Sequence, residues 1–545
     1  MLIPSHLRDH LIHSLSPLPN THPLGLTVLA SQPKRTRDLF PHAVHPPKCA
    51  QQEWLVVLDS EMGTDKATVQ GQGENKSEEN PRVLIAAISA HLYTFSSSTP
   101  SILYISKVDS SGYSSSTTPL PLTRHLIRAF ILYFLAECPA LRVQLFARAQ
   151  RQYLFANSAD WKGKKVLGGA GLCKWWKGVY ENVASSWAAS PGSGPAEPAG
   201  SAASAGLELE EKKQNMKLGF ILPGYDEQEA KTLLGAGRPL PKGMHWTYTP
   251  PFTSPLIPSP SSPSVSGSGS GTRVSLATLI PSLPDDPKTR FLEELVSEHP
   301  RPPNTSKSST TTTTTSSTTT EKKQGGQEES KSEPEPESES GSGNGNGPDK
   351  RQGGGKEGKK TRKEHEAEED AAQRTFAENI LHAVGIAEFW ERMGFRQECA
   401  SGDVTGFFTL EAGSVLGMGL ERKHASGESS PATTTTATAK NALALLPQAI
   451  TERLLAALTN LDFANPALAV EGSTIWLEQT HSIVAGEVGE AGWEVCVARI
   501  EAKAGQAGQA RSVTVAGAER IGEGVRKREE VVTMLQPRKK KKIVQ

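Results

Sequence analysis

The residues best suited to chemistry lie in one short segment of the second half of the chain, Leu283–Phe291, which reads LPDDPKTRF. Two adjacent carboxylates, Asp285 and Asp286, stand there beside Lys288 and Arg290. A carboxylate can accept a proton, and an arginine can hold an anion through charge-assisted hydrogen bonds. Because an arginine at a helix N-terminus is a poor partner for the helix dipole, an external anion is one explanation for its presence. The alternative is an exposed turn in which an aspartate caps the following helix.

Two other segments could face an anion. Ser106–Tyr113 (SKVDSSGY) follows a predicted strand, and the N–H groups of its Ser-Ser-Gly sequence could bind a ligand; a capped β-turn is the alternative. Lys164–Gly171 (KKVLGGAG) places two lysines before a glycine cluster and a predicted helix. This order is typical of a diphosphate-binding loop, although glycine-rich loops also occur without a ligand. Trp175 and Trp176 project about 100° apart on that helix, so we expect one in the core and the other beside a cavity.

The elements that must position these segments follow from the spacing of apolar residues. Runs rich in β-formers over 54–58, 83–95 and 101–106 predict three strands of an antiparallel or mixed sheet. Leu122–Glu137 predicts a buried helix that ends before Pro139. The further predicted helices are 1–16, 226–234, a short one from 290, 371–394 and 441–461, the last with a kink at Pro447. The further predicted strands are 245–248, 405–410, 474–477 and 493–500.

Composition limits how much of the 545-residue chain can fold. Segments rich in Ser, Gly, Pro, Thr or mixed charges bury too little apolar surface to offset chain entropy. The segments concerned are 183–207, 255–271 and 299–372. We therefore expect two ordered parts, 1–298 and 373–501, separated by a disordered insert and followed by a basic tail over 502–545. Roughly 350–400 ordered residues suffice for one large core or two moderate ones.

The charge is balanced overall but not along the chain. The formal net charge is +0, whereas residues 537–545 read PRKKKKIVQ. Such a terminus indicates a nuclear-import signal or a contact for acidic partners, and a solubilising tail is the alternative.

Cysteine usage and hydropathy indicate the cellular compartment of the protein. The five cysteines are scattered without a CxxC or a Cys/His cluster, so we expect a reducing compartment and no metal site. The N-terminus lacks the features of a signal peptide. The longest apolar run, 126–136, contains Arg128 and is too short to span a bilayer. We expect a soluble intracellular protein.

Six motifs in order resemble one known family. They are ISKVDSSGY (105–113), FARAQRQYLF (146–155), KKVLGGAGLCKWW (164–176), LPDDPKTRF (283–291), EFWERMGFRQEC (388–399) and VVTMLQPRKKKK (531–542). Together they look like successive motifs of the fungal histone acetyltransferase family called regulator of Ty1 transposition. The resemblance implies a fold similar to the CREB-binding-protein acetyltransferase domain. That fold is of the α/β (α+β) class, with a mixed central β-sheet surrounded by helices, and it would unite the two ordered parts.

The resemblance also implies a function. It implies acetyl-CoA as co-substrate, lysines of histone H3 in H3–H4 as acceptors, and histone chaperones of the anti-silencing and NAP types as partners. The implied setting is the nucleus, in replication-coupled nucleosome assembly, the DNA-damage response and genome stability. No membrane association, no sequence-specific nucleic-acid binding and no metal are expected. Two alternatives stay open: a non-enzymatic chromatin or histone-chaperone adaptor, and a small-molecule N-acetyltransferase whose R/Q-x-x-G-x-G/A loop is loosely matched by Gly168–Gly171.

Individual roles are carried over from the resemblance position by position. Asp286 matches the acid/base candidate, with Asp285 beside it, and Lys288 matches a lysine that the family acetylates on itself. Asp109 and Trp176 match residues near the acceptor-lysine channel. The positions that match acetyl-CoA contacts are Val108, Asp109, Ser110, Thr117, Thr118, Pro119, Leu120, Pro121, Phe146, Arg148, Tyr153, Lys165, Val166, Leu167, Trp175 and Arg290. The sequence departs from the pattern before Val166, where it is one residue shorter, and residues 465–500 have no clear counterpart.

The implied reaction sets a physical demand. A lysine amine, with a solution pKa of about 10.4, must lose its proton before it attacks a thioester. Holding the amine near the acetyl carbon supplies part of the rate, and a carboxylate can take the proton. We expect Asp286 to orient the amine and relay its proton, with Trp176 and Tyr153 desolvating the ammonium. We also expect Lys288 to lie beside the same cavity.

Overall fold

Alternating and continuous apolar runs build a mixed sheet of ten strands in the computed structural model. The described residues are 2–18, 23–62, 81–96, 99–113, 121–190, 216–248, 274–299, 362–400, 402–413 and 444–501. The strands are β1 (Leu24–Ala30), β2 (Lys34–Thr36), β3 (Cys49–Glu61), β4 (Arg82–Phe95), β5 (Ser101–Ser110), β6 (Leu141–Ala147), β7 (Lys217–Ile221), β8 (Trp246–Tyr248), β9 (Gly406–Ala412) and β10 (Val497–Ile500). Their order is β10-β1-β3-β4-β5-β6-β9-β7-β8, with β2 paired to β3. The β5–β6 and β7–β8 pairs are parallel and the other pairs antiparallel, so the predicted mixed sheet is confirmed.

Helices cover this sheet. They are α1 (Pro4–Leu15), α2 (Leu122–Glu137), α3 (Gly169–Ala189), α4 (Glu227–Leu234), α5 (Leu276–Leu279), α6 (Pro287–Ser297), α7 (Arg362–Ala383), α8 (Ile386–Met393), α9 (Gln397–Ala400), α10 (Gln448–Thr459), α11 (Pro466–Val488) and α12 (Glu490–Cys496). Helices α1, α2 and α3 pack in sequence against one another, and α10 and α11 pack on β3 and β4. A second apolar cluster joins α5–α8 to the ends of β7 and β9 through Phe291, Phe389 and Phe407. None of the helices in the described part of the chain is long and apolar enough to cross a membrane.

Several predicted elements are confirmed closely. Helix α2 has the predicted ends, 122 and 137. Helix α4 begins after Asp226, which forms a capping box with Glu229. Helix α6 begins at Pro287, earlier than predicted, because the Asp286 side chain caps it and proline is well tolerated in the first turn.

Other expectations are wrong in extent. Helix α3 continues to Ala189, into the segment expected to be unfolded, because Val183, Ala184 and Trp187 extend its buried face. The predicted helix over 371–394 is two helices, α7 and α8, separated at Gly385, and α7 begins at Arg362. Residues 448–459 of the predicted helix 441–461 form α10, which begins after its N-cap Pro447, and residues 444–447 are not helical. Of the predicted strand over 493–500, only Val497–Ile500 is extended.

The predictions for residues 191–207, 255–271, 300–361 and 502–545 concern segments outside the described residues.

The predicted strand over 474–477 is also wrong, because these residues lie inside α11. The buried positions recur at Gly472, Ser473, Trp476 and Thr480, which is helical spacing. The β-branched Thr474 favours a strand locally, but tertiary packing decides otherwise. Trp476 is fully buried, and its indole N–H donates to the Leu454 carbonyl at 3.1 Å.

We predict that Trp476→Ala lowers the free energy of unfolding by about 3–5 kcal/mol, because it empties a fully packed site. Thr474→Ala, on the exposed face of the same helix, is the matched control and should change it by no more than about 0.5 kcal/mol. Urea denaturation followed by tryptophan fluorescence and far-UV circular dichroism measures both. Equal effects of the two substitutions would contradict the placement of Trp476 in the core.

Candidate active site

Two cavities adjoin at the ends of β5 and β6. The larger, about 590 Å³, is bounded by β5, the start of α2, residues 163–167 and the start of α3; we call it the aromatic cavity. The smaller, about 530 Å³, lies between β5, β6 and residues 283–290; we call it the acidic cavity. The five residues that line both are Ser106, Lys107, Phe146, Gln150 and Tyr153. A group bound in one cavity is therefore separated from a group in the other only by this shared wall.

The structure brings most of the predicted site residues to these two cavities. The aromatic cavity is lined by Val108, Asp109, Ser110, Pro121, Phe146, Tyr153, Lys165, Val166, Leu167, Trp175 and Trp176. The acidic cavity is lined by Phe146, Arg148, Tyr153, Asp285, Asp286 and Arg290. Thr117, Thr118, Pro119 and Leu120 lie outside the described residues. Lys288 lines neither cavity.

The Asp109 carboxylate is a buried anchor. Its Oδ2 accepts the backbone N–H groups of Tyr153, Leu154 and Phe155 at 2.8, 2.9 and 3.2 Å. Its Oδ1 accepts the Lys164 ammonium at 2.8 Å and the N–H of Ser110, also at 2.8 Å. Both oxygens are therefore occupied, and the residue fastens one wall of the aromatic cavity to the end of β5. This geometry favours a positioning role over direct proton transfer.

At the end of β5, the backbone N–H groups of Ser110 and Ser111 are hydrogen-bonded within the protein. The N–H of Ser110 is bound by Asp109, and that of Ser111 donates to the Ile85 carbonyl at 3.1 Å. Gly112 has φ of 88°, and a Cβ there would come within 2.7 Å of the Lys164 backbone. The expectation of a loop or capped β-turn over 106–113 is wrong for 106–110, which form the end of β5, and the Ser110 and Ser111 amides are bound within the protein.

The glycine cluster before α3 is also bound by a side chain of the protein. Gly168 precedes α3, and the N–H of Gly169 donates to both oxygens of Asp403, at 2.8 and 2.9 Å. A Cβ at Gly169 would lie 2.0 Å from the Val404 carbonyl, so the close approach requires glycine. The Asp403 carboxylate thus binds the amide at the start of α3, where a diphosphate was expected. The Lys164 ammonium forms an ion pair with Asp109. The Gly169 amide is therefore bound within the protein, and a diphosphate-binding role of Lys164–Gly171 stays a prediction.

As expected, one tryptophan, Trp176, belongs to the buried core and the other, Trp175, is only partly buried beside the aromatic cavity, although both rings line that cavity. Their rings meet edge to face with centroids 4.9 Å apart, and Trp176 is 6% exposed. Tyr153 lies on the shared wall, where burial raises the pKa of its phenol to about 12. Its hydroxyl donates to the Arg148 carbonyl, so it forms a neutral, apolar-faced wall at physiological pH.

The two adjacent aspartates point to different partners. Asp285 adopts a left-handed backbone (φ 56°), and its largely exposed carboxylate pairs with Lys107 at 3.2 Å. Asp286 is buried, accepts the backbone N–H of Lys288 at 2.9 Å and binds the Lys288 ammonium. That ammonium lies 4.4 Å from the centre of the Phe407 ring. Burial lowers the pKa of Lys288, and Asp286 works against this shift.

The expectation that Lys288 lies beside the cavity is therefore wrong. Because α6 begins at Pro287, Lys288 falls on the face of its first turn that packs against the core. Arg290 falls on the cavity side, where its half-exposed guanidinium pairs with the buried Glu398 at 2.7 Å. The arginine that suggested an external anion thus already has a protein carboxylate as partner.

No group of three or more His, Cys, Asp or Glu side chains that could hold a metal ion occurs among the described residues. Carboxylates, cations and aromatic rings are among the side chains that line the two cavities. The cavity at residues 283–290 carries charges of both signs, from Asp285 and Asp286 and from Lys107, Arg148 and Arg290.

Comparisons with known proteins identify the family. The family model for the histone acetyltransferase KAT11-type domain matches residues 128–479. The chain belongs to this family. A curated relative, histone acetyltransferase rtt109 of Aspergillus flavus, is 29% identical over 235 residues, which cover 41% of this chain. The match spans 37% of that relative's length.

The fold agrees with a solved member. The crystal structure of Rtt109 from Aspergillus fumigatus superposes with a TM-score of 0.55, covering 90% of this chain and 99% of that one at 22% identity. At this identity the likeness establishes the fold. The resemblance to the regulator of Ty1 transposition family that six motifs indicated is confirmed.

Sequence reasoning missed four residues of this KAT11-type site. They are Lys107, Glu398, Asp403 and Phe407. Glu398 lies in the motif over 388–399, which was a usable signal, but nothing local marks Asp403 as the partner of an amide 234 residues away. Lys107 lies next to residues that the resemblance did mark, Val108–Ser110.

We predict that Asp109→Ala lowers the free energy of unfolding by about 3–5 kcal/mol, because it leaves the buried Lys164 ammonium without its ion-pair partner. Asp160→Ala is the control, since its pair with Arg151 is exposed and should contribute no more than about 1 kcal/mol. Urea titrations of both variants and of Asp109→Ala/Lys164→Met measure the difference. If Asp109→Ala is as stable as Asp160→Ala, the carboxylate is not an anchor.

Proposed function

We propose that the protein transfers the acetyl group of acetyl-CoA to lysine side chains of histone H3. One observation carries the proposal: an aromatic cavity with cationic lining shares a five-residue wall with a second cavity whose lining includes the largely exposed Asp285 and the buried Asp286. Acetyl-CoA occupies the aromatic cavity, and the acceptor lysine enters the acidic one. The name of the matched relative, a histone acetyltransferase, supports the substrate class.

The reaction follows from this arrangement. Carboxylates attract the lysine ammonium, and the apolar faces of Phe146 and Tyr153 disfavour its charge as it reaches the shared wall. The neutral nitrogen attacks the acetyl carbonyl carbon, a C–N bond forms, and the C–S bond breaks. The proton leaves the nitrogen through a carboxylate at the acidic cavity, and the departing CoA sulfur takes up a proton. Asp109 and Lys164 keep the wall in place and do not exchange protons with the substrate.

The partners are those that the resemblance implies. A chaperone of the anti-silencing or NAP type presents H3 within H3–H4, in the nucleus, during replication-coupled nucleosome assembly and the DNA-damage response. The basic terminus at 537–545, which lies outside the described residues, would serve nuclear entry or chaperone binding. The match to the histone acetyltransferase KAT11-type domain supports this proposal over the small-molecule N-acetyltransferase alternative.

We expect purified protein, radiolabelled acetyl-CoA and an H3–H4–chaperone complex to yield labelled H3, and Asp286→Asn to lower the rate by at least about tenfold. Isothermal titration with acetyl-CoA separates the alternatives. Acetyl-CoA binding without transfer would remove the catalytic assignment. Histone binding without acetyl-CoA binding would favour the chromatin adaptor.

The Lys288 pair suggests how the enzyme becomes fully active. While Lys288 carries its charge, it holds the Asp286 carboxylate, which also lines the acidic cavity. Acetylation of Lys288 by the enzyme itself removes that charge and releases Asp286 toward the acceptor. The lowered pKa of Lys288 favours the neutral amine that such a step requires.

We predict that Lys288→Arg, which keeps the charge, lowers acetyl transfer by about tenfold or more, whereas Lys288→Gln retains more activity. Mass spectrometry of the recombinant protein should find acetyl-Lys288 in the wild type and not in Asp286→Asn. Because the side chain is buried, thermal unfolding of each variant serves as the folding control. An unmodified Lys288 in a fully active preparation would rule the idea out.

A further inference from the structure

A third cavity, of about 280 Å³, adjoins the acidic cavity. It lies between α10 and the strands β3 and β4, and we call it the α10 cavity. The residues that line both it and the acidic cavity are Ser106, Lys107, Pro284 and Asp285. A polypeptide whose lysine enters the acidic cavity can therefore place a neighbouring side chain in the α10 cavity.

The Glu53 carboxylate, on β3, lines the α10 cavity and is only 13% exposed. Its oxygens accept the Thr451 hydroxyl at 2.8 Å and the Gln448 side-chain amide at 3.0 Å, both of which are uncharged donors. No lysine or arginine in the described part of the chain forms an ion pair with it, and Lys34 acts on it only from a longer distance. Burial raises the pKa of Glu53, so its charge gains most from a cation that a ligand supplies.

His91, which lies opposite Glu53 on β4, leaves that charge uncompensated. Its Nδ1 is 3.9 Å from a Glu53 oxygen, but burial and the nearby Lys107 lower the pKa of the imidazole to about 4. The ring is therefore neutral at physiological pH, and it neither balances Glu53 nor repels an entering cation. Its Nε2 has no hydrogen-bond partner among the described residues and is available to a ligand.

The other charges that line the α10 cavity do not balance Glu53 either. Lys107 and Asp285 neutralise each other at 3.2 Å. Glu452 is exposed and accepts the Gln448 side-chain amide at 2.9 Å. The uncompensated charge of this cavity is therefore negative.

We propose that the α10 cavity binds the guanidinium of an arginine close in sequence to the acceptor lysine, and that Glu53 thereby selects among the lysines of histone H3. The inference rests on the proposed function. Glu53 is then a specificity residue, which acts on the acceptor at a distance from the reacting atoms.

The arrangement of acceptors favours arginine over a second lysine. The carboxylates of Glu53 and Glu452 and the hydroxyl of Ser89 reach the cavity from three different elements, β3, α10 and β4. A guanidinium carries five N–H donors in a planar fork, whereas an ammonium directs three donors from one point. A guanidinium is also more weakly hydrated, so it loses less on entering a largely enclosed cavity.

A double-mutant cycle between enzyme and substrate tests the inference. Each arginine near the acetylated lysine of H3 is replaced in turn by glutamine in the H3–H4–chaperone complex. We expect one replacement to lower kcat/KM of the wild type by about tenfold or more, mainly through KM, because the contact is the same in the ground and transition states. In Glu53→Gln the same replacement should change kcat/KM by less than about twofold, since the partner charge is already absent.

Two further substitutions sharpen the cycle. Replacing the same arginine of H3 by lysine should keep part of the wild-type rate, because the charge stays and the fork is lost. His91→Phe keeps an aromatic ring but removes Nε2, and it should raise KM by about threefold for substrate that carries the arginine.

The matched control is Glu61→Gln, on the same strand β3. Glu61 is also largely buried, but it pairs with Arg82 at 3.7 Å and lines none of the three cavities. It should leave KM for every substrate unchanged, and thermal unfolding confirms that each variant is folded.

Three results would overturn the inference: no dependence of the wild type on any nearby arginine, an equal loss in the wild type and Glu53→Gln, or an equal effect of Glu61→Gln. A failure of the proposed function looks different, because the wild type would then not label H3 at all.

Discussion

The Asp109 carboxylate, at the end of β5, accepts five hydrogen bonds, from the amides of Ser110, Tyr153, Leu154 and Phe155 and from the ammonium of Lys164. A buried charge is stable only when such donors surround it, and removal of any one leaves an uncompensated group. The same five bonds bring Tyr153 to the shared wall and pair the Lys164 ammonium within the protein. The geometry of both pockets therefore depends on this one carboxylate.

The same constraint explains how the remaining charges are distributed. Asp403 caps α3, Glu398 pairs with Arg290, and Asp286 binds Lys288, so each of these carboxylates has a partner from a distant part of the chain or from its own helix. Asp285 remains largely exposed because the left-handed backbone at that residue turns its side chain outward to Lys107.

The second apolar cluster connects this electrostatic arrangement to the fold. Phe407 on β9 stacks on Phe146 with centroids 4.6 Å apart and also lies beneath the Lys288 ammonium. One aromatic residue thus supports the shared wall on one side and the Asp286–Lys288 pair on the other. A change of charge at Lys288 therefore changes the electrostatic environment next to the wall that the two cavities share.

Local features were predictable from the sequence because their causes are local. The apolar spacing of α2, the capping of α4 by Asp226 and the continuous apolar runs of β3–β5 depend on neighbouring residues, and six ordered motifs were sufficient to indicate the family. The tertiary structure alone decided which charges meet: Asp403 with Gly169, Glu398 with Arg290, and Lys107 with Asp285. It also placed Thr474 in a helix against its β-propensity, since the packing of Trp476 on the same helix outweighs a local preference. Electrostatic pairing and burial act through space, so residue types and spacing identify the groups that can do chemistry but not the partners that hold or release them.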